Sequence, residues 1–434
     1  MYRPILLSLI GAVTLTACAD SATEPRTFAR PLDASPGVVA ALGDFQRYVA
    51  IGTSVSQGWR SDGVNAASQQ TSWPALLAQM AGRDLSLPLI AFPGCGAPIA
   101  APIAAGVRVS GEGVATPFLS RICAANEAGV TLPTGNVAIS GARTTHALTA
   151  TPEQPDPSYA PLYARVLPPG MSQVTAMEAQ NPKIVSVELG ANEALGARDG
   201  AYVPGQTVVP VAFWAPGYHE VVERVDRATK HAVLVGLIDR ASSFPSFRTG
   251  AELWAARATF TPFNVAVNAD CSVAPGSDNL LFVPIRVLAA AAEGAARARA
   301  GLTGPAVLSC ANAPPVDGNG VVIRDYVLGP SEVAQLDAQF AAMNAIIRAE
   351  AEAHGFAYFA LSALYEVANT KAPFSAITML TSNQPYGPLV SLDGLHPSAE
   401  GSRVLAEAAA AALAARYNMV FPNLGGAPLA MLAR

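Results

Sequence analysis

The chain has 434 residues, 51% of them hydrophobic and only 14% charged, with a net charge of -5. That length suits one large domain or two. A mildly acidic chain with so few charges is not expected to bind nucleic acid, and its cysteines lack the CxxC spacing of a structural zinc site.

Met1-Tyr2-Arg3 is a short basic start, and Ile5 to Val13 is an apolar run too short to span a bilayer. Leu15-Thr16-Ala17-Cys18 follows, and it resembles the lipobox of bacterial lipoproteins. The resemblance implies a signal peptide over 1–17, cleavage before Cys18 and acylation of Cys18. Ala19 in the next position resembles sorting to the outer membrane. Residues 18–43 then form a lipidated tether, rich in Ala, Pro, Thr and Asp. The expected protein is exported and held to the bacterial envelope by lipid. Of the remaining cysteines, Cys95, Cys123, Cys271 and Cys310, an even number in an exported chain favours two disulfides. Sequence order suggests Cys95–Cys123 and Cys271–Cys310, although four cysteines allow three pairings.

After the tether, strands and helices alternate. Tyr48 to Gly52 is a buried strand, and Ser72 to Gly82 a helix with Ser72 as cap and Pro74 in its first turn. Asn136 to Gly141 is a second short strand, and Ile184 to Leu189 a third after a helix. Another helix leads into the strand beginning at His231. A long helix capped near Ser331 precedes "FAYFAL", and the last helix opens at His396-Pro397-Ser398. Continuous apolar strands separated by helices predict a parallel sheet covered on both faces. The stretch of about 240–328 breaks this rhythm and is expected to be an insertion beside the sheet, carrying Cys271 and Cys310. Within it, Val316 to Val327 is expected to be a hairpin turning at Asp317-Gly318-Asn319-Gly320. The same string hints at a calcium loop, but Leu328 stands where an EF-hand needs its last glutamate.

Ester hydrolysis needs a nucleophile, a base, a group to orient the base, and donors for the oxyanion. In "GTSVSQG", Gly52 to Gly58, small residues and glycines let the chain turn sharply and present Ser54. Among the histidines, His219 and His231 flank a helix–strand unit, and His354 suits a helix C-terminus. His146 is less easily given a structural role. His396 has Asp393 three residues before it, in a glycine-containing loop. There the carboxylate can meet one ring nitrogen and leave the other free as a base.

Taken together, "GTSVSQG", "ISGA", "LGANEAL" and "DGLHP" resemble four ordered blocks of the SGNH, or GDSL-type, hydrolases. The resemblance covers about residues 45–417 apart from the insertion. It implies an α/β fold, a three-layer α/β/α sandwich around a five-stranded parallel sheet. It also implies Ser54, His396 and Asp393 as catalytic triad, with Ser54, Gly141 and Asn192 as the oxyanion hole. The hydrolase domain would span 44–418, followed by a tail over 419–434. No metal or organic cofactor is implied. Two positions depart from the family: Thr53 stands where it usually has Asp, and Glu193 where it usually has Asp after Asn192. The chain lacks the GxSxG elbow of α/β-hydrolases.

The expected activity is hydrolysis of carboxylic esters of lipids, aryl groups or acetylated glycans. The same site would serve an envelope acyltransferase, and a decayed fold would leave a surface lipoprotein that only binds. Trp59 and Phe92 are candidates for the pocket or for the core.

Overall fold

The computed structural model describes residues 43–367 and 371–422. Cys18, the signal peptide, the tether through residue 42 and the tail from 423 lie outside the described residues.

The centre is a parallel sheet of β1 (Tyr48–Gly52), β2 (Ile184–Glu188), β3 (His231–Gly236) and the strand Ala357–Ala360, in that order. Every residue of β1 and β2 is buried, as expected where both faces are covered. Tyr358 and Phe359 show the two faces directly. Tyr358 lies under Arg348 of the helix Pro330–His354, whereas Phe359 meets Trp73 of the helix Trp73–Met80. The helix Ala399–Tyr417 packs with Trp73–Met80, while Gln173–Glu178 and Val211–Ala228 accompany Pro330–His354.

The sheet has four strands and not the expected five. Asn136 to Ile139 does run alongside β1, with Val137 N–H donating to Ala50 O at 2.9 Å and Ile139 N–H to Gly52 O at 3.1 Å. It registers only as a single parallel bridge, Ala50 to Asn136. The Gly52 N–H is the physical reason: the next ladder bond would take it to Val137 O, and it donates instead to the Gln173 side chain, Oε1, at 3.0 Å.

The region 240–328 builds its own structure. Phe247–Thr249, Leu280–Phe282 and Val327–Leu328 form an antiparallel sheet, and Val265–Val267 pairs in parallel with Ala306–Leu308. Cys271 is bonded to Cys310 within it, and Cys95 to Cys123 outside it, which are the pairings that sequence order suggested. The hairpin turning at Asp317 to Gly320 is formed but is shorter than expected: Val316 pairs antiparallel with Val322, whereas Val327 pairs with Leu281. Asp317 closes the short turn by accepting from the N–H groups of Asn319 and Val321. Its carboxylate is thereby committed to its own loop. Beyond the last helix, Met419 and Phe421 are buried, with Phe421 edge-on to Phe45.

Candidate active site

The site is assembled at the C-terminal ends of β1 and β2, where open parallel sheets place their clefts. β1 ends at Gly52, Thr53 caps the short helix Ser54–Gln57, and Gly58 closes it in a left-handed conformation. Gly52 is required by close packing: a Cβ there would lie 2.6 Å from Ser56 Oγ. What holds the turn is Glu188, the last residue of β2 and in register with Gly52. Its carboxylate accepts from Thr53 N–H (3.0 Å), Thr53 Oγ1 (2.7 Å), Ser56 N–H (3.2 Å) and Ser56 Oγ (3.0 Å). Trp73 Nε1 donates to Ser56 Oγ, which leaves that hydroxyl proton for Glu188. Burial pushes the Glu188 carboxyl up, against the pull of the Thr53 and Ser56 donors.

Ser54 Oγ lies 2.9 Å from His396 Nε2, and His396 Nδ1 lies 2.9 Å from Asp393 Oδ2. Ser54 and the Asp393–His396 pair, read at opposite ends of the sequence, thus form one hydrogen-bonded chain. The loop 391–396 folds back as expected: Ser391 N–H donates to His396 O, and Asp393 Oδ1 accepts from the N–H groups of Leu395 and His396. Burial pushes the Asp393 carboxyl up. The His396 ring and these N–H donors outweigh it and hold the group well below the usual carboxylate range.

The other histidines are engaged elsewhere. His219 meets Glu350 at 3.0 Å, His231 meets Asp44 at 2.8 Å, and His354 lies among Glu223, Asp226 and Glu350. His146 Nδ1 accepts from Arg143 N–H at 3.3 Å and lies 3.8 Å from Asp156, and burial pushes its imidazole down.

Gly141 sits just past the segment beside β1, at φ +76°. A Cβ there would meet the Tyr159 ring at 2.1 Å, so only glycine fits. Ser140 before it is fixed by Gln57 Oε1, which accepts from both its N–H and its hydroxyl. Asn192 uses one Nδ2 proton on Ala142 O at 2.8 Å, which leaves the other available. Glu193 is buried and caps the helix Thr144–Thr149 by accepting from Thr144 N–H at 2.6 Å. Among the described residues, the backbone N–H groups of Ser54 and Gly141 have no acceptor within the protein. Two unpaired donors and a half-used amide are donors of the kind an oxyanion site needs.

Beside His396 stands an aromatic wall. The Trp59 ring is 6.5 Å from the imidazole, 5.8 Å from Phe118 and 6.1 Å from Tyr159. Phe92, the other aromatic considered, is 75% exposed and joins neither the core nor this wall. One group of metal-ligand type converges among the described residues, Asp270 with Cys271 and Cys310, and its two sulfurs are bonded to each other.

Sequence reasoning missed Glu188, Gln57, Phe118 and Tyr159. Glu188 carried one signal, a carboxylate closing an otherwise apolar strand. The others carried none, because their partners lie in distant loops.

No protein-family model and no curated protein matches the chain. Among solved structures it is similar to an acetylxylan esterase from Geobacillus stearothermophilus, at 13% identity and a TM-score of 0.34, over 84% of this chain and 93% of that one. It is also similar to a GDSL-like lipase from Parabacteroides merdae (10%, TM-score 0.31, 86% and 94%). A third is an extracellular lipase from Streptomyces rimosus (15%, TM-score 0.30, 83% and 98%). Likeness at these TM-scores carries no argument, and the functional reading rests on the geometry of the site.

Proposed function

We propose that this protein is a serine hydrolase of carboxylic esters, exported and lipid-anchored through Cys18. The single observation that carries the hydrolase reading is the hydrogen-bonded chain from Ser54 Oγ through His396 to Asp393. In this reading Ser54 attacks the ester carbonyl while His396 Nε2 takes the hydroxyl proton. The Asp393 carboxylate faces the imidazolium that forms and fixes the ring orientation. The N–H groups of Ser54 and Gly141 and the free amide proton of Asn192 receive the oxyanion. His396 returns the proton to the leaving alcohol, and water, activated by the same imidazole, then releases the acid from the acyl-enzyme. An intact chain of this kind favours catalysis over a role in binding alone.

Fluorophosphonate labelling mapped to Ser54, together with hydrolysis of p-nitrophenyl esters of increasing chain length, tests the reading. Absence of both labelling and turnover in folded protein would remove it. Free acid released without an added acceptor separates hydrolysis from acyl transfer. The anchor rests on the lipobox resemblance, and loss of metabolic palmitate labelling in Cys18→Ala tests it.

A further inference from the structure

Asp393 Oδ2 takes a second hydrogen bond besides the one from His396. The donor is the backbone N–H of Asp62, at 2.8 Å and 331 positions away in the chain. Oδ1 is bonded only within its own loop, to Leu395, His396 and Ser391. Among the described residues, Asp62 is therefore the one donor from outside the loop, and it acts on the oxygen that faces the imidazole.

That N–H is presented by an unusual turn. Ser61 and Asp62 both adopt positive φ, +52° and +57°, a conformation uncommon for residues other than glycine. Two guanidinium groups grip the turn. Arg108 donates to the Asp62 carbonyl at 2.9 Å and to its carboxylate at 2.6 Å. Arg121 reaches the same carbonyl at 3.2 Å and the same carboxylate at 2.9 Å. Arg108 is only 1% exposed and is itself anchored to Ala97 O and Val114 O. Arg121 is anchored to Thr116 O. Both arginines lie within the loop that Cys95–Cys123 closes, and Ile99 N–H of that loop bonds Ser61 O at 2.7 Å.

We infer that Arg108, assisted by Arg121, is a positioning residue for the triad: it fixes the Asp62 turn, whose N–H holds Asp393 Oδ2 against His396. The inference rests on the triad reading above. A chain of hydrogen bonds then runs from the disulfide-closed loop to the base.

The test compares Arg108→Met, Arg108→Lys and Asp62→Asn with wild type in kcat, KM, thermal midpoint and the low-field Nδ1 proton resonance of His396, assigned with His396→Gln. Arg108→Met should lower kcat by on the order of 10²-fold and Asp62→Asn by on the order of tenfold, with KM within about threefold. Arg108→Lys should recover part of the Arg108→Met loss. In both losing variants the Nδ1 proton signal should broaden or disappear without any substrate present. Should the buried Arg108→Met fail to fold, Asp62→Asn and Arg108→Lys decide the matter, since the Asp62 side chain is 39% exposed. Wild-type kcat and an unchanged Nδ1 resonance in folded Asp62→Asn and Arg108→Lys, even with lowered midpoints, would overturn the inference and leave Arg108 a scaffold residue. If wild type hydrolyses no ester, the hydrolase reading fails by itself, and the Nδ1 resonance still decides the positioning role.

Discussion

His396 Nε2 and Ser54 Oγ are 2.9 Å apart although 342 positions separate them in the chain. The contact joins the first turn after β1 to the loop before the last helix, so both ends of the domain must be in place before the base meets its nucleophile. Ser54→Ala should therefore lower kcat by on the order of 10⁴-fold or more, and His396→Ala by a similar factor, because the triad acts as a unit. His146→Ala should be much milder, its Nδ1 being occupied by Arg143 N–H. Ester turnover by the three purified variants checks the ranking. The reverse order for the two histidines would exchange their roles.

Asn192 separates catalysis from local structure. Asn192→Ala should cost about 10²–10³ in kcat through loss of an oxyanion donor. Losing the bond to Ala142 O should cost about 1 kcal/mol of stability. A lowered unfolding midpoint with normal kcat would make Asn192 purely structural.

The acid side of the stability curve should depend on Asp393. Its carboxyl is held below the ordinary range in the folded state. Its contribution is thus complete above the unfolded value of about 4 and disappears as pH falls through the folded one. Glu188 has the opposite sign, because burial raises it. Its contribution is complete below about 4 and is lost as pH rises through its folded value. Urea midpoints from pH 3 to 8 should show a shallower acid limb in Asp393→Asn than in wild type. An equally steep limb would mean that the pairing with His396 is not made in solution.

Thr53→Val removes the hydroxyl that donates to Glu188 Oε1 at 2.7 Å. Leaving a buried acceptor short of a donor costs about 1–3 kcal/mol, and the unfolding free energy should fall by that amount. Thr53→Asp should be worse, since it sets a second carboxylate against Glu188 without a cation. Equal midpoints for the two variants would show that Glu188 is not the support of the turn.

The two disulfides close loops with sequence separations of 28 and 39. Loop-closure entropy assigns each roughly 3–4 kcal/mol. Removing Cys271–Cys310 by paired serine substitutions should lower the midpoint alone. Removing Cys95–Cys123 should lower kcat as well, because that loop carries Arg108, Arg121 and the Phe118 side of the aromatic wall. Identical behaviour of the two double variants would separate the loop from the site.

The alternation of strands and helices, the Asp393–His396 spacing and the order of cysteine pairing are all legible in the sequence because each is local or ordered along the chain. The fifth strand is not formed, because Gln173, on a helix far along the chain, takes the Gly52 N–H that the next ladder bond would use. Glu188 shows only as a carboxylate at a strand end, and Asp62 does not show as a support at all. Their roles depend on strand register and on a turn held by arginines far along the chain, and neither leaves a spacing to recognise. The turn at Asp317 to Gly320 is legible as well, but the hairpin ends soon after Val322, and Val327 pairs with Leu281.

Thr53 is a donor where the resembled family usually carries an acid, and a carboxyl stands opposite it, on the neighbouring strand at Glu188. Letter by letter this is a loss, whereas the hydroxyl and N–H of Thr53 both find an acceptor in Glu188. Chains that have made this exchange escape any search keyed to the contiguous string after the first strand. They become recoverable when each suspect turn is matched to the acceptor facing it across the sheet, so that two distant letters are scored as a single feature.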